Sequence, residues 1–303
     1  MAHLLVNDQK LSTIINIAVA AGLTSYAYCK YFSRPRSGRS ISKHILPGSD
    51  VYETDKLISE YLVFHYGKPE QLIPYPFGPK EDLDFPKRCA ELCLKHYQPQ
   101  ETIPNRALDI GCAVGRSTFE LTRGVQEVIG IDYSLSFINA ANKLKKEGKL
   151  QYNLVQEGDI VTETVAEVPA DIDRSRVTFE QGDACNLPSS LGHFGLVLAA
   201  NLICRLNNSK VFLARLLTLM PQPGSILVIT APYTWLPEFA DKSKWLGGYK
   251  SATGEDVYGF QTLQSELGQH FDLIEDLNMP FFIRETARKN QWTVSHATVW
   301  RRK

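Results

Sequence analysis

Arg106-Ala107-Leu108-Asp109-Ile110-Gly111-Cys112-Ala113-Val114-Gly115 is the stretch that decides the fold. Its first five residues read as a short buried strand, and a helix opens within residues 117–123. Gly111 and Gly115 allow the backbone to turn tightly and to come close to a ligand. Outward from this loop, apolar strands alternate with helical stretches. Strand candidates lie at residues 106–110, 127–132, 176–180, 194–200 and 225–231, with closing strands at 271–278 and 296–301. Helical periodicity falls between them at 134–146 and 210–220. This alternation predicts an α/β, Rossmann-like domain: a mostly parallel seven-stranded sheet with helices on both faces. Helical stretches at 50–67 and 85–96 form an N-terminal extension, separated by a loop broken by Pro74, Pro76, Pro79 and Pro86. Residues 149–175 are long, polar and acidic for a connection, and read as an insertion placed as a partial lid.

The loop joins a strand to a helix at the carboxyl edge of the sheet, where open sheets bind ligands. Ala113, at the second glycine position, argues against a dinucleotide fingerprint, G-x-G-x-x-G. The acids decide the ligand instead. Asp109 suits the ammonium of a methionine moiety. Asp132, at the end of the next strand, suits both hydroxyls of a ribose. Asp183, after the third strand, suits an adenine amino group. Three acids at successive strand ends fit S-adenosylmethionine better than a phosphate-bearing cofactor. The expected cofactor residues are Asp109, Gly111, Cys112, Gly115, Asp132, Tyr133, Asp183, Ala184 and Asn201. Each acid taken alone is also an ordinary cap or turn residue.

Composition narrows the rest. The 303 residues are 44% hydrophobic and 22% charged, enough apolar material for a sizeable core. Net charge is zero, which gives no field favouring nucleic acid. The six cysteines form no C-x-x-C pair, so no metal site is expected. Residues 11–29 carry no charge and are followed by Lys30, Arg34, Arg36, Arg39 and Lys43. That run is either a minimal membrane anchor at 11–32, with the domain facing the cytoplasm, or an amphipathic surface helix. Residues 1–45 are therefore read as a separate apolar segment with a basic linker, and 46–303 as the domain.

From Asp109 to Ala231 the sequence resembles the class I methyltransferase superfamily. A narrower resemblance rests on Tyr52-Glu53-Thr54-Asp55-Lys56, Glu60-Tyr61-Leu62-Val63-Phe64-His65-Tyr66-Gly67, Ala200-Asn201-Leu202-Ile203-Cys204-Arg205-Leu206, Ala231-Pro232-Tyr233-Thr234-Trp235, Trp245-Leu246-Gly247-Gly248 and Pro280-Phe281-Phe282-Ile283-Arg284-Glu285-Thr286. These blocks resemble the 4-mercaptohistidine N1-methyltransferases of ovothiol biosynthesis. That resemblance implies methylation of an imidazole nitrogen of 5-thiohistidine.

Position then suggests roles. Asn201 and Arg205 are expected at the reacting centre, Asn201 orienting the ring and Arg205 pairing with a carboxylate. His65 is a candidate proton acceptor. Tyr52, Tyr61, Tyr66, Tyr233 and Trp235 are expected to wall the substrate pocket, and Arg284 to pair with Glu285. Other readings are the same fold acting on a lipid or quinone, and a non-catalytic adenosylmethionine-binding partner protein.

Overall fold

The computed structural model describes residues 52–303. The apolar segment and linker lie outside the described residues, and with them the expected membrane anchor or surface helix. No helix among the described residues is long and apolar enough to cross a membrane.

Helices α1 (Asp55–Tyr66), α2 (Pro69–Leu72) and α3 (Phe85–His96) precede the sheet. Then come β1 (Arg106–Ile110), α4 (Arg116–Leu121), β2 (Glu127–Asp132), α5 (Leu135–Glu147), β3 (Lys149–Glu157), β4 (Ile160–Glu167), β5 (Val177–Gln181) and β6 (Leu196–Ala200). The chain continues through α6 (Ser209–Leu219), β7 (Ile226–Ala231), β8 (Tyr249–Lys250), β9 (Asp256–Val257), α7 (Gly259–Leu267), β10 (Phe271–Arg284) and β11 (Asn290–Arg302). The seven-stranded sheet has the order β10-β11-β7-β6-β1-β2-β5. Neighbours from β7 to β5 pair in parallel, while β11 runs antiparallel to β7 and β10.

Strand periodicity sorts the core into two layers. Ala107, Val128, Leu196, Leu198 and Val228 pack on one face, toward α3, α4 and α5. Leu108, Ile129, Val197, Leu227 and Ile229 pack on the other, toward α6 and α7. Both faces are covered, which explains why these strands read as unbroken apolar runs.

Three features differ from the sequence expectation. The insertion is not a lid. It is a hairpin, β3 with β4, that buries Tyr152, Leu154 and Ala166 in the core, and none of its residues lines the cavity described below. The closing strands are also far longer than expected. Only His296 to Arg301 of β11 pair with β7. The hairpin therefore overshoots the carboxyl edge of the sheet, and Phe281, Ile283 and Thr293 stand as a wall beyond it. Finally, Arg284 does not pair with Glu285. It is buried and donates to Thr286 O at 3.2 Å, Val155 O at 3.2 Å, Gln156 Oε1 at 2.8 Å and Gln71 O, tying the hairpins to α2. Glu285 pairs with Lys289 instead, at 2.6 Å.

Candidate active site

Among the described residues, four non-glycine residues have left-handed backbone: Asp84, Ala113, Asn201 and Tyr233. The last three follow β1, β6 and β7, at the carboxyl edge of the sheet. Each such residue costs about 1–2 kcal/mol, and strain of this kind gathers at functional sites. A cavity of about 510 Å³ opens there.

One wall is the loop after β1. Gly111 (φ 77°) and Ala113 (φ 46°) bend it back, and the Gly111 and Cys112 amides donate to Ile131 O at 2.7 and 3.1 Å. Ala113 fits although its backbone is left-handed, because its amide donates to Asp132 Oδ2 at 2.9 Å. Asp132 Oδ1 accepts from the Ser134 amide at 2.9 Å. Both carboxylate oxygens are thus fixed by backbone, and their remaining lone pairs are available at the cavity that Asp132 lines. Burial pushes its carboxyl up to about 6, against the pull of those amide hydrogen bonds.

Gly111, Tyr133, Asp183 and Ala184 line the same wall. Asp183 Oδ1 accepts from the Cys185 amide at 2.8 Å, the turn role, and this orients the residue. Asp109, Cys112 and Gly115 are not wall residues. Asp109 is 1% exposed, and its Oδ2 accepts from Ser117 and Thr118 hydroxyls, both at 2.7 Å. Its Oδ1 is buried without a partner, and burial pushes this carboxyl up to about 6. Cys112 is buried, with its thiol on Ala113 O, and Gly115 begins α4 where a Cβ would strike Phe179. These three residues shape the loop from behind.

The roof is α1 and the residues before it. Thr54 caps α1 by accepting from the Leu57 amide, and Glu53 docks the segment on α5. Glu53 accepts from Leu135 N at 3.0 Å, Ser136 N at 3.2 Å and Ser136 Oγ at 2.6 Å. Burial works to raise its carboxyl, but the Ser136, Ser134 and Leu135 hydrogen bonds outweigh it and hold it below the usual range. Glu53 was not among the expected site residues; its partners Leu135 and Ser136 lie 82 and 83 residues away in sequence, so no local pattern links them.

Tyr52, Tyr61 and His65 line the cavity from this roof, and Tyr61 packs on Phe137 at 4.6 Å. Tyr66 does not line it. Its hydroxyl donates to Val114 O at 2.9 Å and clamps the back of the loop. His65 is buried, and its Nδ1 accepts from the Arg116 amide at 3.4 Å. Burial, helped by the nearby Arg116 charge, pushes its imidazole down to about 3. His65 is therefore neutral, a poor base, with its proton on Nε2.

The floor comes from the ends of β6 and β7. Asn201 lines the cavity, with its Oδ1 accepting from Thr230 Oγ1 at 2.9 Å and Ser295 Oγ at 2.5 Å. Arg205 donates to Thr234 O at 2.7 Å and lies 4.9 Å over the Phe239 ring. It forms no ion pair among the described residues. Burial raises the Tyr52 hydroxyl, and the Arg205 charge partly offsets that rise.

Tyr233 and Trp235 do not wall the cavity; Pro232, Thr234 and Leu236 do. The left-handed backbone at Tyr233 (φ 51°) breaks the strand there and turns its side chain away from the cavity. Tyr233 instead reaches His296 Nδ1 at 2.9 Å. Tyr233 and Trp235 both press on Gly259, where a Cβ would lie 2.9 and 3.1 Å from their rings. The cavity also uses Phe64, Phe85, Phe137, Phe239 and Phe281, which sit on elements distant in sequence.

A family model described as a methyltransferase domain matches residues 108–229. No curated protein matches the chain. Among solved structures, the chain is similar to the [4+2]-cyclase SpnF: 14% identity, TM-score 0.51, covering 84% of this chain and 95% of that one. It is also similar to magnesium protoporphyrin IX methyltransferase from Synechocystis PCC 6803 with bound SAH: 14% identity, TM-score 0.50, covering 84% and 97%. At that identity the likeness concerns the fold, which is the Rossmann-like class I methyltransferase fold.

Proposed function

We propose that this S-adenosylmethionine-dependent methyltransferase methylates an imidazole nitrogen of 5-thiohistidine. Gly111, Asp132, Tyr133, Asp183 and Ala184 are the residues that would hold the cofactor, Asp132 through the ribose hydroxyls. Their fit rests on the backbone-fixed Asp132 carboxylate at the cavity wall and on the buried, unpartnered Asp109 Oδ1 behind the loop, two acidic groups on the side of the cavity where a positively charged ligand would sit. When bound, S-adenosylmethionine supplies an electrophilic methyl group on a sulfonium.

Arg205 carries the acceptor reading. Its guanidinium lines the cavity, is braced by Thr234 O and Phe239, and forms no ion pair among the described residues. Such a group suits the carboxylate of an amino acid. Phe64, Phe85 and Phe281 exclude water and suit the flat face of a ring. His65, neutral and protonated on Nε2, positions by donating and does not remove a proton. A neutral imidazole nitrogen has a free lone pair, so no base has to act before the bond forms. The resemblance of the Tyr52, Asn201 and Pro280 blocks to the 4-mercaptohistidine methyltransferases supports the same acceptor.

The experiment is a comparison of wild type with Arg205→Gln on 5-thiohistidine and on its decarboxylated amine. Arg205→Gln is expected to raise KM for the amino acid about tenfold or more and to leave the amine unchanged. Equal effects on both would remove Arg205 from carboxylate recognition. The aromatic wall favours one other reading, a lipid or quinone acceptor, for which Arg205→Gln would leave KM unaltered.

A further inference from the structure

The side chain at the end of β6 can face the cavity in only one sense. The Asn201 amide N–H donates to Thr230 Oγ1 at 3.0 Å. The Thr230 hydroxyl already accepts there, so its single proton goes to Asn201 Oδ1, at 2.9 Å. Ser295 donates to the same Oδ1 at 2.5 Å. Both hydroxyl residues are 0% exposed. Turning the carboxamide over would place its NH₂ against the two hydroxyls and leave two buried protons without acceptors, which is costly. Asn201 is also held in left-handed backbone at φ 53°. The carboxamide is therefore locked, with Oδ1 inward, and Nδ2 is the group it offers to the cavity that Asn201 lines.

We infer that Asn201 is a specificity-determining residue, a fixed donor that selects acceptors carrying an unprotonated lone-pair atom, such as a thiolate sulfur, on the ring that bears the methylated nitrogen. This rests on the proposed thiohistidine reading and adds to it the reason for the sulfur. In the neutral ring the nucleophilic nitrogen directs its lone pair at the methyl group, so it does not also accept from Asn201. An exocyclic thiolate has lone pairs to spare. A plain histidine presents C–H at that place and leaves Nδ2 without a partner. Sites that hydrogen-bond a substrate group reject analogues that lack it far more strongly than apolar pockets do. His65 has the same sense from another element: its Nδ1 is taken by the Arg116 amide, so Nε2 donates. Two donors of fixed sense, on β6 and α1, thus face an electron-rich acceptor.

The test is the ratio of kcat/KM for 5-thiohistidine over histidine, measured in wild type, Asn201→Asp and Ser295→Ala. In Asn201→Asp an acceptor replaces the donor, and the ratio is expected to fall about tenfold or more. In Ser295→Ala the carboxamide loses half its lock, so the ratio falls by a smaller factor although Asn201 remains. Thermal melts report folding, and Ser295→Ala decides the matter if Asn201→Asp does not fold. A ratio unchanged in every folded variant overturns the inference and leaves the thiohistidine reading standing. No transfer by wild type to either amino acid overturns that reading, and the inference with it.

Discussion

Asp132→Asn separates a cofactor residue from a structural one. In the wild type each carboxylate oxygen accepts one backbone amide, from Ala113 and from Ser134, both at 2.9 Å. Asparagine has one such oxygen, so one of these charge-assisted bonds is lost, a cost of about 1.5–3 kcal/mol. Against this, the charge no longer has to be held in a desolvated site. The rise of the carboxyl from 3.8 to about 6 corresponds to about 3 kcal/mol, which cavity water reduces to about 2 kcal/mol. That shift already includes the two amide bonds, so the lost bond is not counted twice: at pH 7.5 the free variant should be no less stable than wild type, with a melting temperature level or up to about 4 °C higher. Cofactor binding has no such compensation. Losing one charged hydrogen bond to a ribose hydroxyl weakens S-adenosylmethionine about 10–100-fold. Wild-type affinity should also fall as pH drops below about 6, where Asp132 takes up a proton, while the Asn variant shows no such fall. Calorimetric titration at pH 5.5 and 7.5, with melts of the free protein, measures all of this. A dissociation constant within threefold of wild type, at undiminished stability, refutes the ribose role.

Other consequences follow from the same geometry. Ala113→Gly relieves a left-handed alanine (φ 46°) and should raise stability by about 1 kcal/mol in urea unfolding; a loss of stability would show that the alanine methyl contributes packing that outweighs the strain. Asp109 is raised by burial to about 6. The folded state therefore holds its proton where the unfolded state releases it, and that stability is lost as pH climbs from about 4 to about 6. Asp109→Asn should accordingly gain about 3 kcal/mol on wild type between pH 4 and pH 7, and parallel pH profiles would contradict this. Glu53→Ala removes the acceptor of the Leu135 and Ser136 amides and should cost about 1 kcal/mol. Faster amide exchange at both positions would report it, and unchanged exchange would mean that other contacts dock the roof.

Local chemistry was legible in the sequence, and long-range placement was not. The β1 loop, the capped helix at Ser134, Asp132 and Asp183 are set by strand ends and turns, and each lies where its own neighbours direct it. The distal hairpin was not legible, because nothing in residues 279–295 reveals that β11 continues past the end of β7. Tyr233 and Trp235 were misplaced for a related reason. Their side depends on the left-handed turn at Tyr233, which a tyrosine does not announce. The β3–β4 pair was hidden because its alternation rests on few apolar residues, with Tyr152 and Leu154 inward and Gln151 and Asn153 outward. The lock on Asn201 joins three strands, and only the assembled sheet brings Thr230 and Ser295 to it.

The most direct measurement is methyl transfer itself. The protein is incubated with 5-thiohistidine and S-adenosylmethionine carrying a ¹³C-labelled methyl group, and the product is read by NMR. Label on a ring nitrogen is the expected result, and label on sulfur alone, or no transfer to any histidine derivative, would contradict it.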